Sequence, residues 1–238
     1  MNSDNTGPNR RMFIGMGIAA GTAALAPTEA FAARGKEREK TVEEEVSPPE
    51  DLMREHAALE RIMLIYDKAT DDLAGGGKFP VTVLAGAAGI VRSFIEDYHE
   101  KLEEDYLFPR FKKANSLVDL VTTLNDQHKA GRILTNRITN AAKEEAPPED
   151  TQRLKALAED LRAFNRMYRP HAAREGTVLF PALRTVVTPG EFDDMGEEFE
   201  DKERELFGKE GFFGVVDQIA QLERKVGLYE LERFTPKT

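Results

Sequence analysis

The chain has 238 residues, of which 40% are hydrophobic and 32% are charged, and its formal net charge is -10. This composition predicts a globular protein with a sizeable core. The acidic balance argues against nucleic acid as the main partner, because phosphate binding needs a basic surface. The sequence contains no cysteine, which excludes disulfides, thiol catalysis and cysteine-ligated metal centres. A bound metal ion must therefore be held by histidine and carboxylate side chains.

Residues 1–32 predict an export signal. Arg10 and Arg11 precede an apolar run rich in glycine and alanine, and an A-x-A step ends at Ala32. The segment resembles a twin-arginine export signal, which implies cleavage after Ala32 and export of the folded protein to the periplasm. The run from Met12 to Ala26 is short and weakly apolar for a membrane span, so an N-terminal membrane anchor is the alternative.

Residues 33–49 predict a linker, because they mix charges and prolines without apolar periodicity. The predicted folded domain, residues 50–187, contains apolar residues at intervals of three and four, which is typical of amphipathic helices. Ser116 is expected to be the N-cap of the third helix, and Pro109 and Pro170 are expected to bend the second and fourth. No convincing strand pattern is present. The four helices are expected at about 50–72, 80–113, 116–143 and 150–187.

Short connections after the first and third helices predict an all-α fold, an up-down antiparallel four-helix bundle. Residues 188–238 predict a C-terminal helical extension with two shorter helices, at about 190–206 and 212–226. Its apolar residues would cover the bundle or a partner protein, and no chemistry is expected of the extension itself.

One pattern occurs twice in the predicted bundle. H-x-x-x-E-x-x-x-L-F-P appears as HEKLEEDYLFP at 99–109 and again as HAAREGTVLFP at 171–181. The other two histidines, His56 and His128, are separated along the chain by the same offset as the two copies. The bundle is therefore predicted to be a tandem duplication of a helical hairpin, with one histidine on the first helix of each half and a His-x-x-x-Glu pair on the second.

The spacing places these side chains at one level of the bundle. In each half, one histidine precedes the middle of the predicted turn and the other follows it at a similar distance along the chain. Both are therefore expected about 30 Å from the turn. Glu103 and Glu175 follow their histidines by four residues, so that imidazole and carboxylate project from the same helix face. The two halves together would bring four histidines and two glutamates into one interior layer.

Two buried carboxylates need compensation, and the sequence offers no matching buried lysine or arginine. Two divalent ions would supply it, and imidazole with carboxylate suits iron, manganese or zinc. We expect two histidine nitrogens for each ion, Glu103 and Glu175 as bridges between the ions, and an open position for O₂, NO or peroxide. The six expected ligands are His56, His99, Glu103, His128, His171 and Glu175.

The alternative is a duplicated bundle that keeps a polar layer only to fix its register. Glu60 is expected to be solvated or to support the site from outside, because its repeat counterpart is Arg132. The two Leu-Phe pairs are expected to pack over the site and shield it. The charge run beside the ligands is expected on a solvated helix face, and it comprises Glu100, Glu104 and Asp105. Three tyrosines are expected in the core, namely Tyr98, Tyr106 and Tyr168.

The repeated segments resemble the hemerythrin-like (HHE cation-binding) domains, over about residues 50–187. The resemblance implies a non-haem di-iron centre held by the six ligands named above. The oxygen carriers of that family place a second histidine one turn after the third-helix ligand and an aspartate five residues after the last histidine. This chain has Arg132 at the first position and Glu175, four residues after His171, for the second. The set of four histidines and two glutamates is closer to the hemerythrin-like domain of iron–sulfur repair proteins, which carry an additional N-terminal cysteine segment.

The leading hypothesis is an exported di-iron protein that binds or senses O₂ or NO, or that reports iron or oxygen status. The alternatives are an oxidoreductase that acts on NO, peroxide or Fe(II), and a metal-storage protein. Iron is expected, with manganese and zinc as alternatives. No catalytic residue is assigned, and whether the protein is an enzyme stays open. A protein partner is possible through the extension; no nucleic acid and no stable membrane span after signal cleavage are expected.

Overall fold

The computed structural model describes residues 46–143 and 151–237, with only the backbone of Thr151. The predicted export signal, the predicted linker up to residue 45 and the predicted turn near Pro148 lie outside the described residues. Within the described residues the chain is helical and contains no strand, which confirms the predicted all-α class. No helix among them is both long and apolar enough to cross a membrane.

Four long helices carry the predicted site. α1 spans Pro48–Ala74 and α3 spans Val118–Ala141. α2, residues 81–113, joins α-helical and π-helical turns, which are Val81–Ile90, Val91–His99 (π), Glu100–Leu102, Glu103–Leu107 (π) and Phe108–Lys113. α4, residues 151–185, is built in the same way from Thr151–Arg174, Glu175–Leu179 (π), Phe180–Ala182 and a 3₁₀ turn at Leu183–Thr185.

The widened turns have a local cause. A proline ring inside a helix clashes with the carbonyl group four residues earlier and donates no hydrogen bond. The π-helical turns Glu103–Leu107 and Glu175–Leu179 end just before Pro109 and Pro181, whose missing N–H removes one α-helical hydrogen bond at that point. Each turn begins at a predicted glutamate ligand, and π-helical turns are frequent at functional sites.

Two predicted helix ends differ from the structure. α1 begins at Pro48, inside the predicted linker, because proline is tolerated in the first helical turn, where its missing N–H has no partner to lose. Ser116 does not cap α3: its N–H donates to the carbonyl of Phe111 at 3.0 Å, and Leu117, with φ at 51°, precedes the helix instead. The fourth helix is α-helical from Thr151 through Pro170 to Arg174, and the bend expected at Pro170 stays a prediction.

The helices pack as neighbours around one core. α1 lies against α4, α4 against α3, and α2 against both α1 and α3. Large apolar side chains fill the space between them, as where the Phe164 ring meets Tyr66 edge-on with ring centres 5.2 Å apart. The up-down, antiparallel order of the four helices stays a prediction.

The C-terminal extension packs on this core. α5 spans Pro189–Phe207, and it begins with a capping box in which Thr188 and Glu191 satisfy each other's backbone N–H groups. α6 spans Gly211–Val226 and lies against α1, α2 and α5, and a 3₁₀ turn follows at Leu231–Phe234. Of its apolar residues, Phe199, Ile219 and Leu222 are buried, whereas Leu206 and Phe213 are exposed.

Candidate metal centre

The structure brings all six predicted ligands into one layer of the interior. His56 comes from α1, His99 and Glu103 from α2, His128 from α3, and His171 and Glu175 from α4. Five of them are buried. His56 is the most accessible, with 10% of its side chain exposed.

The donor atoms form two overlapping groups. His56, His99 and Glu103 make one group, and Glu103, His128, His171 and Glu175 make the other; within each group the donor atoms lie within 4.8 Å of one another. The histidines of the first group come from α1 and α2 and those of the second from α3 and α4, so each group holds the histidine pair of one half of the repeat. Glu103 belongs to both groups.

Both glutamates contact histidines from both halves of the repeat. Glu103 lies 3.3 Å from Nε2 of His128 and 3.8 Å from Nε2 of His99. The Oε2 atom of Glu175 lies 3.1 Å from Nε2 of His171 and 3.3 Å from Nε2 of His56. This is the arrangement that two bridging carboxylates require.

The chemistry of the donor set fits a pair of metal ions. Both carboxylates are fully buried, and none of their four oxygen atoms has a hydrogen-bond partner among the described residues. Burying a carboxylate in this way costs several kcal/mol unless a cation compensates it. Four imidazole nitrogens and two carboxylates suit iron, manganese or zinc.

The protonation states also favour metal binding. Burial lowers the pKa of His56, His99 and His128 to about 4, so that these rings are neutral at pH 7 and offer lone pairs. Burial and the neighbouring Glu175 raise the pKa of Glu103 well above its ordinary value. Burial acts on Glu175 in the same direction, but His171 and His56 hold its pKa below the ordinary value. In the metal-free protein Glu103 therefore holds a proton more readily than Glu175 does.

Comparison with known proteins identifies the family. The family model described as "Hemerythrin HHE cation binding domain" matches residues 47–183. The chain belongs to the hemerythrin HHE cation-binding family. It is also 47% identical, over 209 residues, to uncharacterized proteins of Mycobacterium bovis and of two strains of Mycobacterium tuberculosis, covering 85% of this chain and 80% of each relative. No solved structure matches the chain.

Three side chains that the sequence analysis did not identify support the histidines of this hemerythrin-family centre. Nδ1 of His99 lies 2.6 Å from Oε2 of Glu55, and Nδ1 of His171 lies 2.9 Å from Oε1 of Gln127. Nδ1 of His128 lies 3.1 Å from Oε1 of Glu104. Each contact occupies the ring nitrogen away from the cluster, which orients the ring and directs Nε2 inward.

The sequence did contain a signal for two of these residues. Glu55 and Gln127 each directly precede the first-helix histidine of their half, and they therefore occupy equivalent positions of the repeat. The third supporting residue breaks the repeat, because the position equivalent to Glu104 is Gly176.

Glu100 corrects the prediction of a solvated charge run. It is 1% exposed, accepts a hydrogen bond of 2.6 Å from the Tyr168 hydroxyl, and lies 2.7 Å from the guanidinium of Arg132. Arg132 also lies 2.8 Å from Glu104, so it is linked to His128 through that carboxylate. Burial raises the pKa of Glu100 to about 8, although Tyr168 and Arg132 oppose the rise. Only Asp105 of the charge run is fully on the surface.

Aromatic rings cover the centre from two sides. The ring of Phe180 stacks on His56 with ring centres 5.3 Å apart, and the ring of Phe108 stacks on His128 at 5.5 Å. These phenylalanines belong to the two Leu-Phe-Pro segments, and the preceding leucines are fully buried. Each repeated segment thus contains both a predicted glutamate ligand and a phenylalanine that covers a histidine of the other half. Glu60, by contrast, pairs with Arg169 at 3.3 Å and is half-exposed, away from the cluster.

Proposed function

We propose that this protein holds two iron ions between its four histidines and two glutamates and uses them to bind or sense O₂ or NO. The observation that carries the proposal is the position of Glu103 and Glu175. Each carboxylate is buried without a hydrogen-bond partner among the described residues and lies between histidines of both halves. A bound iron pair would supply redox-active ions with room for a small diatomic ligand.

The surrounding residues suit a small ligand better than an organic substrate. Phe108 and Phe180 stack on ligand histidines and exclude water from that side. Two described cavities, one at the end of the bundle near Phe79 and one beside Tyr106, include none of the six ligands in their walls. We propose that reversible binding of a diatomic molecule uses the six ligands, the carboxylates that support them and this apolar cover.

The finer parts of the assignment rest on the sequence. We place the protein in the periplasm, because residues 1–32 resemble a twin-arginine signal, and we propose an up-down, antiparallel order for the four helices. Export of folded protein would allow the ions to be acquired before export. The alternatives remain an oxidoreductase that acts on NO, peroxide or Fe(II), and a metal store.

The decisive experiment measures metal content and absorption spectra of protein purified without added metal. We expect about two iron ions per chain, bands that bleach on reduction, and reversible spectral change on exposure to O₂ or NO. Steady turnover with a reductant would instead assign the oxidoreductase. A single zinc ion without such bands, or no metal, would contradict the proposal.

A matched pair of variants tests the bridging role. The double substitution Glu103→Ala with Glu175→Ala should abolish binding of both ions while the helical circular dichroism persists, because it removes both shared carboxylates. Glu60→Ala is the control, since Glu60 is half-exposed and pairs with Arg169 outside the cluster. Unchanged iron content in the double variant would refute the assignment of the two glutamates as bridges.

A further inference from the structure

A second group of carboxylates lies outside the metal centre. Asp51 and Glu55 stand one turn apart on α1, and Glu203 reaches them from α5; one oxygen atom of each lies within 4.8 Å of the other two. We propose that these three carboxylates, with the hydroxyl of Tyr98, bind a third cation, a hard divalent ion of the Mn²⁺ or Mg²⁺ class. The C-terminal extension would then supply a metal ligand rather than act only as a cover.

Two buried groups without partners point into this cluster. Glu55 is 0% exposed; its Oε2 contacts His99, and its Oε1 has no hydrogen-bond partner among the described residues. The hydroxyl of Tyr98, which is 1% exposed, also has none within that part of the chain. Burial raises the pKa of this hydroxyl, and the carboxylates of Glu55, Asp51 and Glu203 raise it further.

The local charge calls for a divalent ion. Asp51 is 8% exposed, and burial together with Glu55 and Glu203 raises its pKa to about 8. Among the described residues, Arg54 is the cation that acts on both Asp51 and Glu55, and its guanidinium also lies 4.8 Å from the ring centre of Phe212. A bound cation requires the three carboxylates to be ionised; against one arginine they then carry two net negative charges, which one divalent cation balances.

The donor atoms select the class of ion. All donors in this cluster are oxygen atoms, which suit hard cations such as Mg²⁺, Ca²⁺ and Mn²⁺, whereas the main centre has four imidazoles. Glu203 also accepts a hydrogen bond of 2.8 Å from the backbone N–H of Phe212. A cation at Glu203 would therefore fix α5 and the start of α6 to α1. Glu55 would connect it to the main centre through His99.

The test is a titration of the full chain with Mn²⁺, after its main centre has been loaded with iron. Electron paramagnetic resonance measures the free Mn²⁺. We expect one Mn²⁺ to bind per chain. Glu203→Gln should weaken this binding at least about ten-fold, since affinity depends on the number of charged ligands. Glu198→Gln, an equal charge change at an exposed position of the same helix, should leave it unchanged. Glu55 is left intact because its loss would also disturb His99.

Two further measurements separate this site from the main centre. Mn²⁺ binding should persist in the Glu103→Ala, Glu175→Ala protein, so the proposal can fail or hold whatever the main centre binds. Asp51→Asn removes one carboxylate ligand. Because Asp51 mostly holds a proton near pH 7 in the metal-free fold, the substitution should change the melting temperature of the metal-free protein little, and it should remove the rise that Mn²⁺ gives the wild type. The absence of Mn²⁺ binding in the wild type would overturn the proposal. It would also be overturned if Glu203→Gln left Mn²⁺ binding intact while the double glutamate variant abolished it.

Discussion

Replacing Gly131 by alanine tests how closely α3 and α4 approach beside the centre. A Cβ atom at this position would lie 1.9 Å from the hydroxyl oxygen of Tyr168 and 2.7 Å from the ring carbon that carries it. Tyr168 is 1% exposed, and its hydroxyl donates to Glu100 over 2.6 Å. The ring can move away from alanine only if this buried hydrogen bond breaks.

The expected effect combines three contributions. Alanine gains about 1 kcal/mol over glycine in a helix interior. Overpacking a close-fitting core costs about 1–3 kcal/mol, and leaving the buried hydroxyl and carboxylate unpaired costs about 1–3 kcal/mol more. Gly131→Ala should therefore lower the free energy of unfolding by about 3 kcal/mol.

Urea unfolding followed by circular dichroism measures this difference. Gly89→Ala is the control, because Gly89 is an exposed glycine of α2 whose added Cβ would meet nothing within 4 Å. That variant should be more stable by up to about 1 kcal/mol. In a Tyr168→Phe background the clash with the hydroxyl disappears, so the two substitutions should be less than additive. Stabilisation by Gly131→Ala as large as that of the control would refute the close approach of the two helices.

Two further predictions follow from the buried carboxyl groups. Glu55→Gln should weaken metal retention about 10- to 100-fold in a chelator competition, because Glu55 orients His99 and the loss of such residues weakens metal binding by this factor. Glu60→Gln, the control, should have no effect. Equal metal retention in the two variants would contradict the role of Glu55. Asp51 and Glu100 have pKa values of about 8 in the fold, whereas the unfolded carboxyls ionise near pH 4. The native metal-free protein thus binds more protons, and its stability should fall as the pH rises from about 6.5 to 8, by up to about 2 kcal/mol for each group. A urea midpoint that rises over this range would contradict those protonation states.

The repeat explains why the site was largely predictable from the sequence. A single offset along the chain links all four histidines and both glutamates. Finding it requires no knowledge of the tertiary structure, and helical geometry then sets the common level of the six side chains. The structure groups the same six side chains, although their role as ligands remains a prediction. The all-α class was predictable from the apolar intervals of three and four, and the hemerythrin family from the repeated H-x-x-x-E-x-x-x-L-F-P segments.

The features that were missed depend on contacts between helices. Whether Glu100 faces water or Tyr168 depends on how α2 meets α4, and that in turn depends on the absence of a side chain at Gly131. The widened turns at Glu103 and Glu175 were missed because a regular α-helical period was assumed throughout. The start of α3 was misplaced because Ser116 is used to end α2.

The two halves of the centre are alike in their ligands but differ in what supports them. Glu55 supports the histidine pair of the first half through His99, and Glu104 supports the pair of the second half through His128. Each histidine pair therefore has one supporting carboxylate. In the first half it contacts the second-helix histidine, and in the second half it contacts the first-helix histidine. Gln127 adds a neutral partner only to the second pair. A supporting carboxylate raises the basicity of its imidazole, so each histidine pair has the same number of supporting carboxylates although the individual rings differ. The repeat alone does not distinguish the two halves. In the structure, Gly176 occupies the position equivalent to Glu104, so His56 lacks the supporting carboxylate that His128 has. With 10% of its side chain exposed, His56 is also the most accessible of the four histidines.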